Sequence, residues 1–163
     1  MEPIAFLDLE ASGLGAWSWP IEVGWCFLDG EPETHLLRPA PQWSMGSWDQ
    51  NAQALHKITI EDLQQRGESL ESVCKRLNAV LQNARVYSDA PDWDGFWLYR
   101  LFEAGGVRQQ FEVEDFGGFF TGIARRDIEG LIRTAQDVAP HTHRAGDDAL
   151  HMREIFRLIG AFR

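Results

Sequence analysis

An apolar run near the start of the chain gives the strongest indication of its fold. Residues 4–9 are apolar apart from Asp8, and Glu10 follows immediately. A short apolar run predicts a buried β-strand, because a strand covered on both faces loses the alternation of apolar and polar residues. Turn-like residues, 11–15, come next. The chain is therefore predicted to begin with a buried strand that ends in acidic residues.

Later segments show the residue patterns of strands and of helices. Four more runs predict strands: 21–28, 34–38, 86–88 and 111–116. An Asp29-Gly30 turn joins the first two of these, and 39–48 is predicted to be a loop. Helical spacing of apolar residues predicts helices over 70–81, with Ser69 as N-cap, and around 97–102, 128–135 and 152–159. Early strands followed by strands that alternate with helices predict an α/β fold with a mixed sheet flanked by helices.

Length and charge bound the class of protein. The chain has 163 residues, which is typical of a single domain, 1–163. Its 25 Asp and Glu outnumber its 15 Lys and Arg, and the net charge is −10. Proteins that hold long nucleic acid by neutralising its phosphates are normally basic, so the charge argues against that class.

Cysteine usage and the N-terminus indicate the compartment. Cys26 and Cys74 lie far apart and without CxxC spacing, which favours reduced thiols. No basic region opens the chain, and no apolar run approaches the ~18 residues that a membrane span needs. We therefore expect a cytoplasmic protein with no membrane contact.

Two carboxylates are predicted to lie side by side at the end of the first strand. Asp8 and Glu10 are two residues apart, and such positions project from one face of a strand. Like charges this close repel unless a cation lies between them, and Mg²⁺ or Mn²⁺ prefers oxygen ligands. The alternative is chance, because D-x-E triplets are common in acidic proteins.

Two further acids extend apolar helical stripes. Asp94 shares a helical face with Leu98 and Leu101, and Asp148 shares one with Met152. Each carboxylate is therefore expected to face inward. The alternative is an acid favoured by the dipole at a helix N-terminus, which fits the neighbours Asp89, Asp92 and Asp147 better.

A histidine precedes the last of these acids. His143 lies five residues before Asp148, a spacing that does not stack on one helical face, so we expect it on the loop that leads into the helix. There it could face the same site, although His141 is an equally near alternative. Four acids and one histidine are compatible with a two-metal phosphoryl-transfer site, in which the histidine would accept a proton from the attacking water.

Four segments together resemble the DnaQ-like 3′–5′ exonucleases of the DEDDh type. Residues 6–14, F-L-D-L-E-A-S-G-L, are similar to the family's F-x-D-x-E-T-T-G-L. Residues 55–63, L-H-K-I-T-I-E-D-L, are similar to I-H-G-I-T-x-E-x-L. Residues 93–98, W-D-G-F-W-L, are similar to F-D-x-x-F-L, and residues 143–149, H-R-A-G-D-D-A, to H-x-A-x-x-D-A. The matches occur in the family's order.

The resemblance implies a ribonuclease H-like fold and a two-metal 3′–5′ exonuclease that uses Mg²⁺ or Mn²⁺. Asp8 would bridge both ions, Glu10 and Asp148 would hold the ion that activates water, and Asp94 would hold the second ion. His143 would be the general base. The family also implies substrate contacts at four positions: Ala11, Ser12, Leu14, the wedge under the terminal base, and His56.

Departures from the family pattern concern the substrate side of the site. Ala11 and Ser12 stand where Thr-Thr is usual, Lys57 replaces a glycine, and Tyr87-Ser88 stands where His-Asn is usual. All five implied catalytic residues are present, so these changes bear on substrate choice more than on chemistry.

The sequence leaves the substrate, the oligomeric state and the class of function open. Single-stranded 3′ ends of DNA and of RNA fit equally, and members of the family include monomers and homodimers. A non-catalytic module that binds nucleic acid or a polymerase is the main alternative, and a small-nucleotide phosphodiesterase is a weaker one. Trp17, Trp19 and Trp43 could stack on bases, but we favour packing in the core.

Overall fold

A five-stranded sheet with helices packed against it forms the molecule. The computed structural model describes residues 1–163. The regular elements in chain order are β1 (Ile4–Ala11), β2 (Pro20–Phe27), β3 (Glu33–Leu36), α1 (Gln50–His56), α2 (Ile60–Arg66), α3 (Leu70–Leu81), β4 (Arg85–Ser88), α4 (Pro91–Gly105), β5 (Val113–Asp115), α5 (Arg125–Val138) and α6 (Ala145–Phe162). The predicted α/β class with a mixed sheet flanked by helices is confirmed.

Strand β1 lies at the centre of the sheet, whose order is β3-β2-β1-β4-β5. The pairs β1–β2 and β2–β3 are antiparallel, whereas β1–β4 and β4–β5 are parallel. A register shift between Glu10 and Ala11 ends the regular pairing of β1 with β2. The central strand therefore changes its pairing at the position where its acidic residues lie.

Two layers of helix cover the two faces of β1. Its odd-numbered residues, such as Leu7, pack in the core cluster that includes Leu77 of α3 and Leu98 of α4. Phe6 packs on the opposite face, in the cluster that includes Met152 of α6. Helix α3 begins where its periodicity predicts, because the Ser69 hydroxyl accepts a hydrogen bond from a backbone N–H in the first turn.

The structure differs from the predicted elements at two helices, one loop and two strands. Helices α1 and α2 were not predicted, since each has only seven residues and too little apolar repeat to identify it. The predicted loop 39–48 contains a 3₁₀ helix, Met45–Ser47. The strand predicted at 34–38 ends at Leu36. The strand predicted at 111–116 begins only at Val113 and ends at Asp115, because a 3₁₀ helix begins at Phe116.

The tryptophans of the early loops divide between core and surface. Trp19 and Trp43 are buried and stack with their ring centroids 5.5 Å apart, as expected. Trp17 corrects the expectation of burial, since the loop between β1 and β2 leaves it 72% exposed.

Cys26 and Cys74 are buried and unpaired. Every helix is too short or too polar to cross a membrane.

Candidate active site

Strand β1 carries Asp8 and Glu10 on one face. Both lie an even number of residues after Phe6 and therefore on the same face of the strand. Their side chains project toward the layer that contains α6. Asp8 is 9% exposed, and Glu10 is partly buried. Burying two neighbouring carboxylates costs free energy unless a cation or hydrogen bonds compensate their charge.

Asp94 and Asp148 reach the same place from the first turns of α4 and α6. Asp94 is buried, and its carboxylate accepts hydrogen bonds from the Ser88 hydroxyl and, at 3.3 Å, from the Leu9 backbone N–H. Asp148 is also buried, and it accepts a hydrogen bond of 2.9 Å from the Thr142 backbone N–H. The inward orientation that their helical spacing predicts is confirmed.

The carboxylates form two groups that share Asp8. In each group the ligand oxygens lie within 4.8 Å of one another: Asp8, Glu10 and Asp148 form the first, and Asp8, Asp89 and Asp94 form the second. The Oδ2 atom of Asp8 is buried and has no hydrogen-bond partner. A buried carboxylate oxygen without a partner fits a metal ligand, and an all-oxygen donor set fits Mg²⁺ or Mn²⁺.

Asp89 is the member of this cluster that sequence analysis missed. The sequence predicts an acid at a helix N-terminus here, whereas the structure places Asp89 one residue past β4, before α4 begins. The parallel pairing of β4 with β1 brings it toward Asp8. Its position after a predicted strand was the only available signal.

Burial and mutual repulsion raise the pKa of the clustered acids. Burial is the larger cause for Asp8, whose pKa lies well above its ordinary value, and Asp94 and Glu10 add to it. Burial and the Asp148 charge raise the pKa of Glu10 to about 9. Burial raises the pKa of Asp94 to about 7. The cluster therefore holds protons at neutral pH unless a cation replaces them.

His143 lies on the loop before α6, as expected, and faces the cluster from the open side. Its φ of 61° places it in the left-handed region, which a non-glycine residue rarely adopts and which recurs at functional positions. His141 is also close, because its Nε2 lies 3.2 Å from Oδ2 of Asp148. The two imidazole rings are 4.7 Å apart and nearly perpendicular. Both histidines thus remain in reach of the acids.

A cavity of about 340 Å³ adjoins the acids and contains three of the four implied substrate contacts. Ala11, Leu14 and His56 line it, together with Glu10 and His143. Leu14 is 68% exposed at the rim. The size suits one nucleotide better than a macromolecular segment.

Ser12, the fourth implied contact, lies outside this cavity. It is fully buried, and its hydroxyl accepts a hydrogen bond of 3.0 Å from the Trp19 backbone N–H.

Lys57 has a φ of 60° at the C-terminal cap of α1, so a left-handed conformation is required where the family has glycine.

His56 offers a buried donor to the cavity. Its Nδ1 accepts a hydrogen bond of 3.0 Å from the Ile58 backbone N–H, so the proton of the neutral ring lies on Nε2. That Nε2 is buried and has no partner. Burial lowers the pKa of His56, which keeps the ring neutral. The backbone carbonyl of Ala11 partly opposes this shift, so a bound ligand would compete with that carbonyl for the N–H.

An ion pair that the sequence did not reveal anchors the loop of His143. The Arg144 guanidinium donates to both carboxylate oxygens of Glu22, at 3.1 and 2.7 Å, and the Ala145 N–H donates to Glu22 at 2.9 Å. Glu22 is 2% exposed, on β2 opposite Glu10. These bonds fix the start of α6 against the sheet.

No protein-family model matches the chain, and no curated protein is significantly similar to it in sequence. Among solved structures, it is similar to E. coli exonuclease I in a zinc-bound complex with single-stranded DNA, with a TM-score of 0.76 and 14% identity over 100% of this chain and 41% of that one. The complex of exonuclease I with a dT13 oligonucleotide gives a TM-score of 0.74 and 16% identity over 98% and 41%. A third exonuclease I structure gives 0.72 and 15% over 100% and 44%.

These similarities establish the fold. The chain has the ribonuclease H-like fold of exonuclease I, as its resemblance to DnaQ-like exonucleases implied. It spans about two fifths of the length of the exonuclease I chains.

Proposed function

We propose that this chain is a two-metal-ion 3′–5′ exonuclease that shortens single-stranded nucleic acid from its 3′ end and releases nucleoside 5′-monophosphates. The observation that carries the proposal is Asp8, whose buried carboxylate is common to both acid groups and has an oxygen without a partner. The fold shared with exonuclease I supports it. We further propose that residues 1–163 form one catalytic domain.

Each acid has a role that follows from its group. Glu10 and Asp148 would share one Mg²⁺ or Mn²⁺ with Asp8, and Asp94 would share the other with it. When bound, two such ions activate the attacking water and stabilise the leaving oxygen of an in-line phosphoryl displacement. The chain itself fixes the acids: Leu9 and Ser88 orient Asp94 through hydrogen bonds, and Thr142 orients Asp148.

The remaining residues would position the substrate and move a proton. His143, on the open side of the acids, accepts a proton from the attacking water. The terminal nucleotide would occupy the cavity, where Leu14 contacts the base and the backbone at Ala11 contacts the sugar. The buried Nε2–H of His56 supplies a hydrogen-bond donor on the same wall.

An acidic protein can act on a short 3′ end because few phosphate contacts are needed there. Bound cations would offset part of the net charge of −10, since metal ions dominate the local field of such a site. Weak binding to long duplexes is expected. The structural neighbours crystallised with single-stranded DNA make DNA the first substrate to test, with RNA beside it.

The test uses 5′-labelled single-stranded DNA and RNA of matched sequence, with Mg²⁺, Mn²⁺ or EDTA. We expect a metal-dependent ladder that shortens from the 3′ end and is absent in Asp8→Asn, an isosteric change that removes the shared charge. Asp92→Asn is the matched control, because Asp92 is an exposed acid outside both groups. His143→Ala should lower turnover strongly while metal still binds. Cleavage that survives Asp8→Asn would overturn the proposal, and no cleavage under any condition would favour a non-catalytic binding module.

A further inference from the structure

A third group of ligand atoms lies beside the acid cluster and differs from it in chemistry. The ligand atoms of His141, His143 and Asp148 lie within 4.8 Å of one another. Two imidazoles and one carboxylate are a typical ligand set for Zn²⁺, which leaves a fourth position open. Mg²⁺ and Ca²⁺ prefer oxygen alone, so this group favours a different class of ion from the all-carboxylate groups.

One pair of ligand atoms in the group has the separation found in a tetrahedral site. His141 Nε2 and Asp148 Oδ2 are 3.2 Å apart, and two ligands of a tetrahedral zinc with bonds of ~2.0 Å are separated by about 3.3 Å. The Thr142 N–H holds the other oxygen of Asp148 at 2.9 Å, which leaves Oδ2 directed at His141. Such an outer hydrogen bond is what orients a ligating carboxylate.

His143 is available to complete the set. Its imidazole makes no hydrogen bond within the chain, although its backbone is held at a φ of 61°. Its ring stands nearly perpendicular to that of His141, with the centroids 4.7 Å apart. An imidazole without a partner, beside a second imidazole and a carboxylate, can bind a metal ion with only a small side-chain movement.

We propose that His141, His143 and Asp148 bind Zn²⁺ and that the bound ion inhibits the nuclease. This inhibition rests on the proposed function, because it follows from a competition for shared residues. Zinc held here takes Asp148 from the Mg²⁺ or Mn²⁺ group and occupies the His143 nitrogen that would accept the water proton. His141 belongs only to the zinc set, so it separates the two uses of the site.

Direct binding tests the site without reference to activity. The untagged chain, free of nucleic acid, is titrated with Zn²⁺ by calorimetry and with Co²⁺, whose visible absorption is strong only in tetrahedral sites. His141→Gln should weaken Zn²⁺ binding by at least roughly tenfold to a hundredfold, the loss that even an outer partner of a metal ligand causes. It should also abolish the tetrahedral Co²⁺ band. Since the His141 side chain is 35% exposed, the fold should tolerate the change, and circular dichroism checks this.

His35→Gln is the matched control. His35 also lies against carboxylates, with a ring nitrogen 2.7 Å from each of Glu33 and Glu68, but it is remote from the acid cluster. We expect its variant to bind Zn²⁺ as the unmodified chain does. Zn²⁺ affinity that falls as much in this control, or that does not change in His141→Gln, would overturn the zinc site.

Activity in Mg²⁺ with added Zn²⁺ then tests the inhibition. With each protein's rate expressed relative to its own rate in Mg²⁺ without zinc, His141→Gln should require at least tenfold more Zn²⁺ for half-inhibition. If both proteins are inhibited alike, zinc acts by replacing Mg²⁺ at the carboxylates and the inhibitory site is refuted. If neither protein cleaves nucleic acid but His141→Gln loses zinc, the metal site stands and the proposed function falls.

Discussion

Glu22 and Arg144 form a bidentate ion pair that joins strand β2 to the loop before α6, with N–O distances of 3.1 and 2.7 Å. The carboxylate is almost fully buried, whereas the guanidinium is 45% exposed. The loop carries His143, and α6 carries Asp148. The pair therefore links the position of the proposed base to the sheet that holds Asp8 and Glu10.

Replacing Glu22 by Gln should affect stability and activity together. The change leaves Arg144 without its charged partner and weakens the bond from Ala145, and hydrogen bonds to charged groups contribute about 1.5–3 kcal/mol each. We expect a loss of about 2 kcal/mol in urea unfolding and a lower turnover number, because His143 shifts. Glu114→Gln, which removes an exposed pair with Arg85, should cost no more than about 1 kcal/mol and leave turnover unchanged. Equal effects of the two changes would contradict this role for Glu22.

Gly24 should tolerate no side chain, because α6 begins directly against it. A Cβ there would lie 2.6 Å from the backbone nitrogen of Gly146 and 2.7 Å from the carbonyl carbon of Ala145. Gly24→Ala should push the start of α6 away, cost about 1–3 kcal/mol and displace Asp148. Gly160 lies in α6 with open space around it, so Gly160→Ala should leave the protein equally stable or more stable. Thermal unfolding and Mn²⁺ titration of both variants measure the difference.

The stability of the metal-free protein should fall as the pH rises. Burial raises the pKa of Glu10 from 4.5 to about 9 and that of Asp94 from 3.8 to about 7. Groups whose pKa is raised by folding stabilise the fold fully below their ordinary values, and this contribution is lost as the pH rises through the raised values. The melting temperature in EDTA should therefore decline between about pH 7 and pH 9, above the range in which the lowered pKa of His56 has the opposite effect. Arg76 lowers the pKa of Glu33 to about 2, so the opposite dependence of that group is confined to lower pH.

Mn²⁺ should reverse this decline, because metal binding releases protons from the acids. The rise in melting temperature on adding Mn²⁺ should be larger near pH 9 than near pH 4.5. Asp8→Asn should be more stable than the unmodified chain in EDTA at high pH and should gain little from Mn²⁺. A melting temperature that does not depend on pH in EDTA would mean that the acids are not forced together as described.

Asp89→Asn should weaken binding at the second acid group. The change removes one of three carboxylates, and we expect the weaker of two Mn²⁺ sites to lose affinity by about tenfold while the fold is retained. Asp92→Asn, three residues further along, is exposed and belongs to neither group. Electron paramagnetic resonance counts bound Mn²⁺ in both variants. If both bind two ions equally well, Asp89 is not a ligand.

Elements whose signals are local could be predicted from the amino-acid sequence. The apolar run at the start of the chain fixed β1, and the spacing of apolar residues with a serine cap fixed α3. The inward orientation of Asp94 and Asp148 was also predictable, because each extends the apolar stripe of its own helix. These inferences depend on neighbours within a few turns of chain.

Which distant residues share the site depends on how the strands pair and the helices pack. Asp89 joins Asp8 because β4 pairs beside β1, and Glu22 meets Arg144 because β2 packs under the start of α6. Ser12 lies in the interior although the family pattern places it at the substrate. Strand pairing and helix packing bring together residues far apart in sequence, and no local periodicity encodes which partners they meet.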